Sequence, residues 1–314
     1  MRSMSLKARV VLLVVALLIA GIWGLAARVG SVLQADLKSA LSDQLLATVG
    51  YVATDIDNNV KLRFDTLNEI ATALTPEALS DGSRLQERLE RLHVSAALFR
   101  TGVFVVDRHG IIVADYPGVP GRLGGYVGDR GYFQSVIAGG ERAVSKPRMG
   151  RFSKVPLISL SLPLRDASGK PAGAIVGTVY PSDANLFGPL EGTKLGQSGF
   201  FLVASPGDRV FVSATDKSRI LQPLPAPGVN PLLDRRIKGY EGAGVVVNSR
   251  GVEVLSASSN MKTTGWIVIA AIPTAEAFAP IAALKRQIYV AALLISLLVA
   301  LPRRGSRSGA RRRG

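Results

Sequence analysis

Eighteen consecutive uncharged residues, Val10 to Ala27 (VVLLVVALLIAGIWGLAA), constrain this chain more than any other feature. As a helix they extend about 27 Å at roughly 1.5 Å per residue, close to the ~30 Å of a hydrocarbon core. A helix satisfies its backbone hydrogen bonds within its own segment, as lipid demands. Arg2, Lys7 and Arg9 precede the run and Trp23 stands near its far end, the pattern of a cytoplasmic N-terminus with an interfacial aromatic anchor. A cleaved signal peptide is the competing reading, with a small-residue site at Ala26–Ala27. Against it, the run is long for a signal core and the helical pattern continues beyond it.

A second apolar run, Ile288 to Leu301, has only 14 residues, about 21 Å of helix and short for a span. Lys285 and Arg286 precede it and an arginine-rich tail follows, which places that tail in the cytoplasm. The tail contains only Pro, Arg, Gly, Ser and Ala after Leu301. It is open to three readings: a nucleic-acid arm, a basic membrane stop, or out-of-frame translation of GC-rich DNA. The abrupt end of the apolar run favours the last, a reading frame truncated before an output domain. Of the net charge of +15, nine charges sit in the two flanks. The middle is unexceptional, so no nucleic-acid partner is expected.

There is no cysteine, and the only histidines are His93 and His109. That excludes disulfides, cysteine-ligated metals and a Cys–His nucleophile; no cofactor or metal is expected. Neither histidine stands in a nucleophile context, and Asp65 and Glu69 read as solvated charge on a helix. No phosphate-binding loop is present, so no catalytic function is expected.

Between the apolar runs, Leu41, Leu45, Val49, Val52, Ile56, Val60, Phe64, Leu67 and Leu74 recur at three- and four-residue steps. They mark one long amphipathic helix continuing to Leu74, whose stripe could form a dimer seam or pack on the chain's own sheets. Thr75–Pro76 suits the cap of a new helix, and Ser83 to about Phe99 reads as a second one. The strands that follow come in two sets. GVFVVDRHGIIVAD (Gly102–Asp115) and GFFLVASPGDRVFVSA (Gly199–Ala214) are hairpins on one plan, 97 residues apart. GAIVGTVYP from Gly173 and GWIVIAAIP from Gly265 close the two sets, 92 residues apart, each with proline eight residues after its glycine. Val155–Leu164 and Val252–Ser258 supply further strands. Matching starts and ends indicate two antiparallel sheets in tandem.

This order resembles the double Cache sensor module of bacterial receptors. GDRGYFQSV (Gly128–Val136) is similar to the family's pocket helix, VPLISLSLPLRDASGKPAGAIVGTV to its central hairpin, and TGWIVIAAIPTAEAFAPI (Thr264–Ile281) to its last strand and exit helix. The last of these most resembles sensors that precede GGDEF-type diguanylate cyclases. The likeness covers roughly residues 10 to 300. It implies an α+β fold: a long N-terminal transmembrane and stalk helix, two tandem PAS-like antiparallel sheets, and a C-terminal transmembrane helix. The segments would be a cytoplasmic N-terminus (1–9), a first span (10–28), stalk and second helix (29–100), a membrane-distal sheet (101–182), a membrane-proximal sheet (183–274), a helix into the second span (275–301) and a basic tail (302–314). It also implies a homodimer in the bacterial inner membrane, residues about 29–287 extracytoplasmic, with a small-molecule ligand in the distal sheet.

The residues suit such a pocket. Asp129 fits the cap of a helix starting near Arg130, and Arg130 could clamp a carboxylate with its planar fork. Tyr132 and Phe133 would form an aromatic wall. Tyr126 lies in a Gly-rich loop, Gly118–Gly128, that reads as a flexible lid. Strand alternation puts Ser159 and Ser161 on one face, with Thr178 on the neighbouring strand, either as ligand contacts or as solvent-exposed hydroxyls. The amino-acid-binding branch of the family carries Arg–x–Trp–Tyr and an Asp in the closing strand. Here Tyr132 and Phe133 replace the two aromatics, and no Asp lies among Ala174–Tyr180. A carboxylate or other small anion therefore fits better than an amino acid. The second sheet offers no comparable cluster, and Arg235, Arg236 and Lys238 read as a solvated helix face. The expected function is an extracytoplasmic small-molecule sensor region of a membrane receptor; the alternative is a non-signalling membrane-anchored binding or interaction protein.

Overall fold

A computed structural model of the chain describes residues 6–74, 82–92, 98, 99 and 101–301. The expected cap at Thr75–Pro76, His93 and the basic tail lie outside these residues. The chain divides into two compact units, one of residues 42–276 and one formed by both ends.

The longest element is α1, Leu6–Ala73, 68 residues in one helix. Its stripe is buried as the periodicity requires: Leu45, Val49, Val52, Ile56, Val60, Phe64, Leu67 and Leu74 are all in the core, and Leu41 is half-buried. Each such side chain contributes on the order of 1.5–3 kcal/mol. The same chain covers the stripe, so it is not a free dimer seam. α2, Gly82–Arg91, ends well before the expected Phe99. It buries Leu85 and Leu89, and Gln86 bonds both ways with the Asp115 main chain, accepting at 2.9 Å and donating at 3.0 Å.

The first sheet contains β1 (Val103–Asp107), β2 (Ile112–Tyr116), β3 (Ala143–Val144), β4 (Arg148–Met149), β5 (Pro156–Arg165) and β6 (Pro171–Val179). Its order is β2-β1-β6-β5-β3, with β4 also on β5. α3, Gly131–Ile137, packs Tyr132, Phe133 and Val136 onto one face. After α4 (Ala184–Gly192) the second sheet is built from β7 (Phe200–Ser205), β8 (Val210–Ala214), β9 (Gly242–Val247), β10 (Glu253–Asn260) and β11 (Ile267–Pro273), in the order β8-β7-β11-β10-β9. α5, Pro231–Ile237, is the counterpart of α3. The sequence repeat is therefore a repeat of topology, with the two glycine-to-proline strands, β6 and β11, at the centre of each sheet. The two-residue β3 and β4 carry too little pattern to be read in advance.

Three hairpins turn on one piece of chemistry. Asp107 Oδ1 accepts from the amides of His109 and Ile111, Asp166 Oδ1 from Ser168 and Lys170, and Asn248 Oδ1 from Arg250 and Val252. Each is followed three residues later by a left-handed glycine, Gly110, Gly169 or Gly251. The Asp or Asn side chain supplies the turn's acceptor and glycine supplies its positive φ.

A buried guanidinium stands on the inner face of α1. Arg63 is fully buried; its Nη1 donates to the Asn59 carbonyl at 2.9 Å, while Nε and Nη2 have no acceptor among the described residues. Burial holds its pKa below the ordinary value, opposed by the nearby Asp183. Asp183 caps α4 and leaves Oδ2 unpaired.

The other unit contains the first part of α1 and the helix α7, Ala279–Ala300, reached through α6, Thr274–Ala277. Trp23 stacks on Tyr289 at 6.1 Å, Lys285 donates to Gln34 at 3.2 Å, and Lys38 lies 4.8 Å from the Phe278 ring centroid. The contacts advance along α1 as they retreat along α7, so the helices are antiparallel. Both are long and apolar enough to cross a membrane. With 22 residues α7 spans about 33 Å, longer than its 14-residue apolar run suggested.

Two glycines separate backbone strain from crowding. At Gly169 (φ +81°) an added Cβ meets open space, whereas at Gly110 (φ +85°) it runs into the Gly128 main chain. Gly169→Ala is expected to cost about 1–2 kcal/mol, from left-handed backbone alone. Gly110→Ala should exceed that by at least ~1 kcal/mol of overpacking. Thermal midpoints of the two variants followed by circular dichroism test the ordering; equal losses would contradict it.

Candidate functional site

A cavity of about 480 Å³, counted with its open mouth, lies on the α3 face of the first sheet. Its floor is β-sheet. Phe104 comes from β1, Leu157 and Ser159 from β5, and Thr178 from β6. Ser159 and Thr178 are direct cross-strand partners, so two hydroxyls stand side by side on the floor. Both are buried; solvent exposure was the wrong alternative for them. The Thr178 hydroxyl donates to the Gly102 carbonyl at 3.0 Å. Tyr132 forms one wall from the first turn of α3. Burial pushes its phenol up to about 12, with Arg130 and Ser159 acting slightly the other way, so it stays a neutral donor at physiological pH.

The remaining wall is basic. Arg130 precedes α3, Arg148 lies in β4, and Arg151 follows in the Gly150–Lys154 turn with Phe152 and Ser153. Arg151 pairs with Asp129 at 2.6 Å and donates to the Tyr126 carbonyl at 2.5 Å. Among the described residues neither Arg130 nor Arg148 has a carboxylate partner. Burial, then the neighbouring Arg148 and Arg151, lower the pKa of Arg130. Among the described residues no acid lines the cavity. Asp129 offsets Arg151 and part of the repulsion on Arg130; Arg130 and Arg148 are left facing one another, and an anion placed between them relieves that repulsion.

Arg122 also lines the cavity but is occupied. It forms a buried ion pair with Asp115, with Nε at 2.7 Å, donates to the Thr101 carbonyl at 2.8 Å and the Pro117 carbonyl at 2.9 Å, and lies over the Phe104 ring. It is a brace for the wall.

The cavity gathers four of the seven expected site residues: Arg130, Tyr132, Ser159 and Thr178. The others are placed elsewhere. Phe133 faces the core beneath α3. Ser161 is fully buried because α3 covers that end of β5, and it donates to the Tyr132 carbonyl at 3.0 Å. Tyr126 is half-exposed and its ring lies over Gly128 and Gly110. The loop around it is not a free lid: Gly124 and Val127 donate to Ile112 and Gly110 at 2.8 and 2.7 Å, and Ile112 donates back to Gly125 at 2.9 Å. Asp129 caps no helix; the N-cap position is Arg130, without a side-chain bond, and Asp129 turns to Arg151 instead. The stretch RMGRFSK, Arg148–Lys154, was overlooked although two arginines and an aromatic around a glycine are a visible signal. In the second sheet, Arg235 and Lys238 are exposed as expected, but Arg236 is buried.

Comparison with known proteins gives the family. The Cache domain model of the double type matches residues 33–281. No curated protein matches the sequence. Among solved structures, the ligand-binding domain of Mlp24 with asparagine is 16% identical with TM-score 0.62, covering 79% of this chain and 98% of that one. The ligand-binding domain of the Pseudomonas aeruginosa PAO1 amino acid chemoreceptor PctB with L-Arg is 17% identical with TM-score 0.62, covering 81% and 99%. The periplasmic sensory domain of the Campylobacter jejuni chemoreceptor Tlp1 is 12% identical with TM-score 0.61, covering 78% and 99%. These likenesses concern the fold.

The buried brace makes a stability prediction. Asp115→Asn keeps the shape but leaves the Arg122 guanidinium buried without a counter-charge, and should cost about 3–5 kcal/mol. A lowered thermal midpoint measures this; an unchanged one would show that Asp115 is not the counter-ion.

The family model takes in residues 33–281, both sheets and most of the helix that packs with them, and the chain belongs to the Cache domain family.

Proposed function

We propose that this chain is the extracytoplasmic ligand-binding region of a membrane signal-transduction receptor, and that the cavity of its first sheet takes a small carboxylate or a similar anion. The observation that carries the reading is Arg130 and Arg148, neither with a carboxylate partner among the described residues, beside the Asp129-paired Arg151 at a cavity with no acid among its described lining residues. Arg130 offers a planar pair of donors to a carboxylate. Tyr132, Ser159 and Thr178 supply neutral polar contacts beside it, and Phe104, Phe152 and Leu157 an apolar wall. Two structures with a similar fold are complexes with asparagine and with L-Arg. An α-ammonium needs an acceptor of its own, and an acid-free lining favours an anion lacking one.

A bound anion would draw the Arg148–Ser153 segment toward Arg130. From α3 the chain leads to Arg142, whose guanidinium lies 5.6 Å from the Phe64 ring centroid on α1. Ligand energy can bias α1 only by the difference in affinity between two arrangements of these parts.

Two experiments test the reading. The full chain in lipid nanodiscs should show a thermal shift with small mono- or dicarboxylates and a smaller one with amino acids. Arg130→Ala should weaken that binding roughly 10- to 100-fold, the loss of one charge-assisted contact; an undiminished shift would refute the site. Because the sequence has no cysteine, Ser168→Cys at the exposed tip of the β5–β6 hairpin gives a clean topology probe. An impermeant maleimide should label it in intact cells. Labelling only after lysis would place the sheets in the cytoplasm and end the receptor reading.

A further inference from the structure

The second sheet carries a cavity of its own, about 520 Å³ with its open mouth, on the α5 face. Its place matches that of the first: the same sheet order, the counterpart helix above it, and a serine of the strand beside the central one on its floor, here Ser256 of β10. Its chemistry differs. Among the described residues two arginines line it, Arg236 from α5 and Arg219 from the turn after β8, and no acid does.

Arg236 is 97% buried, at 3% exposure. Nη1 donates to the Ser256 hydroxyl at 2.9 Å, and Nη2 to the Ser256 carbonyl at 2.9 Å and the Gly242 carbonyl at 3.4 Å. Every partner is neutral, and Nε has none among the described residues. Burial lowers its pKa to about 10, partly opposed by Tyr240. Arg219 lies over the Phe211 ring, with Nη2 donating to Ser249 at 3.0 Å and its own Nε buried and unpaired. A buried guanidinium without a counter-charge is costly, and Arg236 bears that cost; Arg219 is half-buried, its pKa lowered by burial and by Arg250 and partly restored by Asp216. Apart from Asn230, Asn248 and the serines, the lining is aromatic and aliphatic: Phe200, Leu202, Val254 and Ile269 are typical.

We infer that the second sheet holds a separate ligand site, for a small monocarboxylate with an apolar tail. Its carboxylate would sit between Arg219 and Arg236 and take the unused donors, while the tail would lie on the aromatic side of the cavity. This site does not depend on the reading of the first one.

The test uses the full chain in lipid nanodiscs carrying Arg130→Ala, which silences the first cavity. Isothermal titration with butanoate and 3-methylbutanoate should give saturable binding of one equivalent, and butanamide, of the same shape without the charge, should give none. Arg219→Gln, at a half-buried position, and Arg236→Lys should each weaken butanoate at least tenfold while circular dichroism melts confirm folding. If Arg236→Lys does not fold, Arg219→Gln decides. Absence of saturable binding to either carboxylate in the Arg130→Ala protein overturns the proposal, as do Arg219→Gln binding like its parent or butanamide binding like butanoate.

Discussion

Everything in the two-sheet unit leans on the apolar seam of α1. A sheet of five or six strands with one face covered by a short helix still has another face to bury, and each sheet here is only a few strands wide. The stripe from Leu45 to Leu74 gives the unit a continuous run of buried side chains contributed by a single helix. Asp57 accepts from the Thr263 amide at 2.9 Å, and Arg142 lies on Phe64. One helix thus touches the loop before β11 and the segment after α3. Whatever alters either sheet is felt by the same rigid rod.

Duplication then sets what each half can do. The strand order repeats, the short helices repeat, and a cavity recurs under each helix. What changes is the source of charge. In the first half it comes from the segment before α3 and the turn after β4, where guanidinium groups remain partly solvated. In the second half it comes from within α5, where Arg236 faces inward among neutral partners. The same scaffold is therefore fitted with an open basic mouth in one copy and a buried cation in the other.

Much of this was legible in the sequence, and for a physical reason. Long periodic patterns average over many residues, so the stalk stripe, the hairpins and the repeated closing strands were read correctly to within a residue or two. The site was legible in part. Arg130, Tyr132, Ser159 and Thr178 were found because strand alternation and a family likeness point to them. Ser161 obeys the same alternation, but how far α3 reaches along β5 is a tertiary fact. The Arg148–Lys154 turn was missed because β3 and β4 are two residues long and have no period. Arg236 was misread because a seven-residue helix with three cations looks amphipathic, and nothing local says which cation turns inward.

The buried Arg63 gives the seam a property that apolar packing lacks. Dispersion contacts between leucine and valine side chains act only at close range. A charge in a low-dielectric interior interacts with its counter-charge steeply and over distance. Asp183, at the cap of α4, offsets part of the cost of burying Arg63 by its charge alone, with no hydrogen bond between the two. The seam therefore carries a charge-burial penalty that its hydrophobic side chains have to outweigh, and placing that one guanidinium anywhere else along the helix would need another such offset.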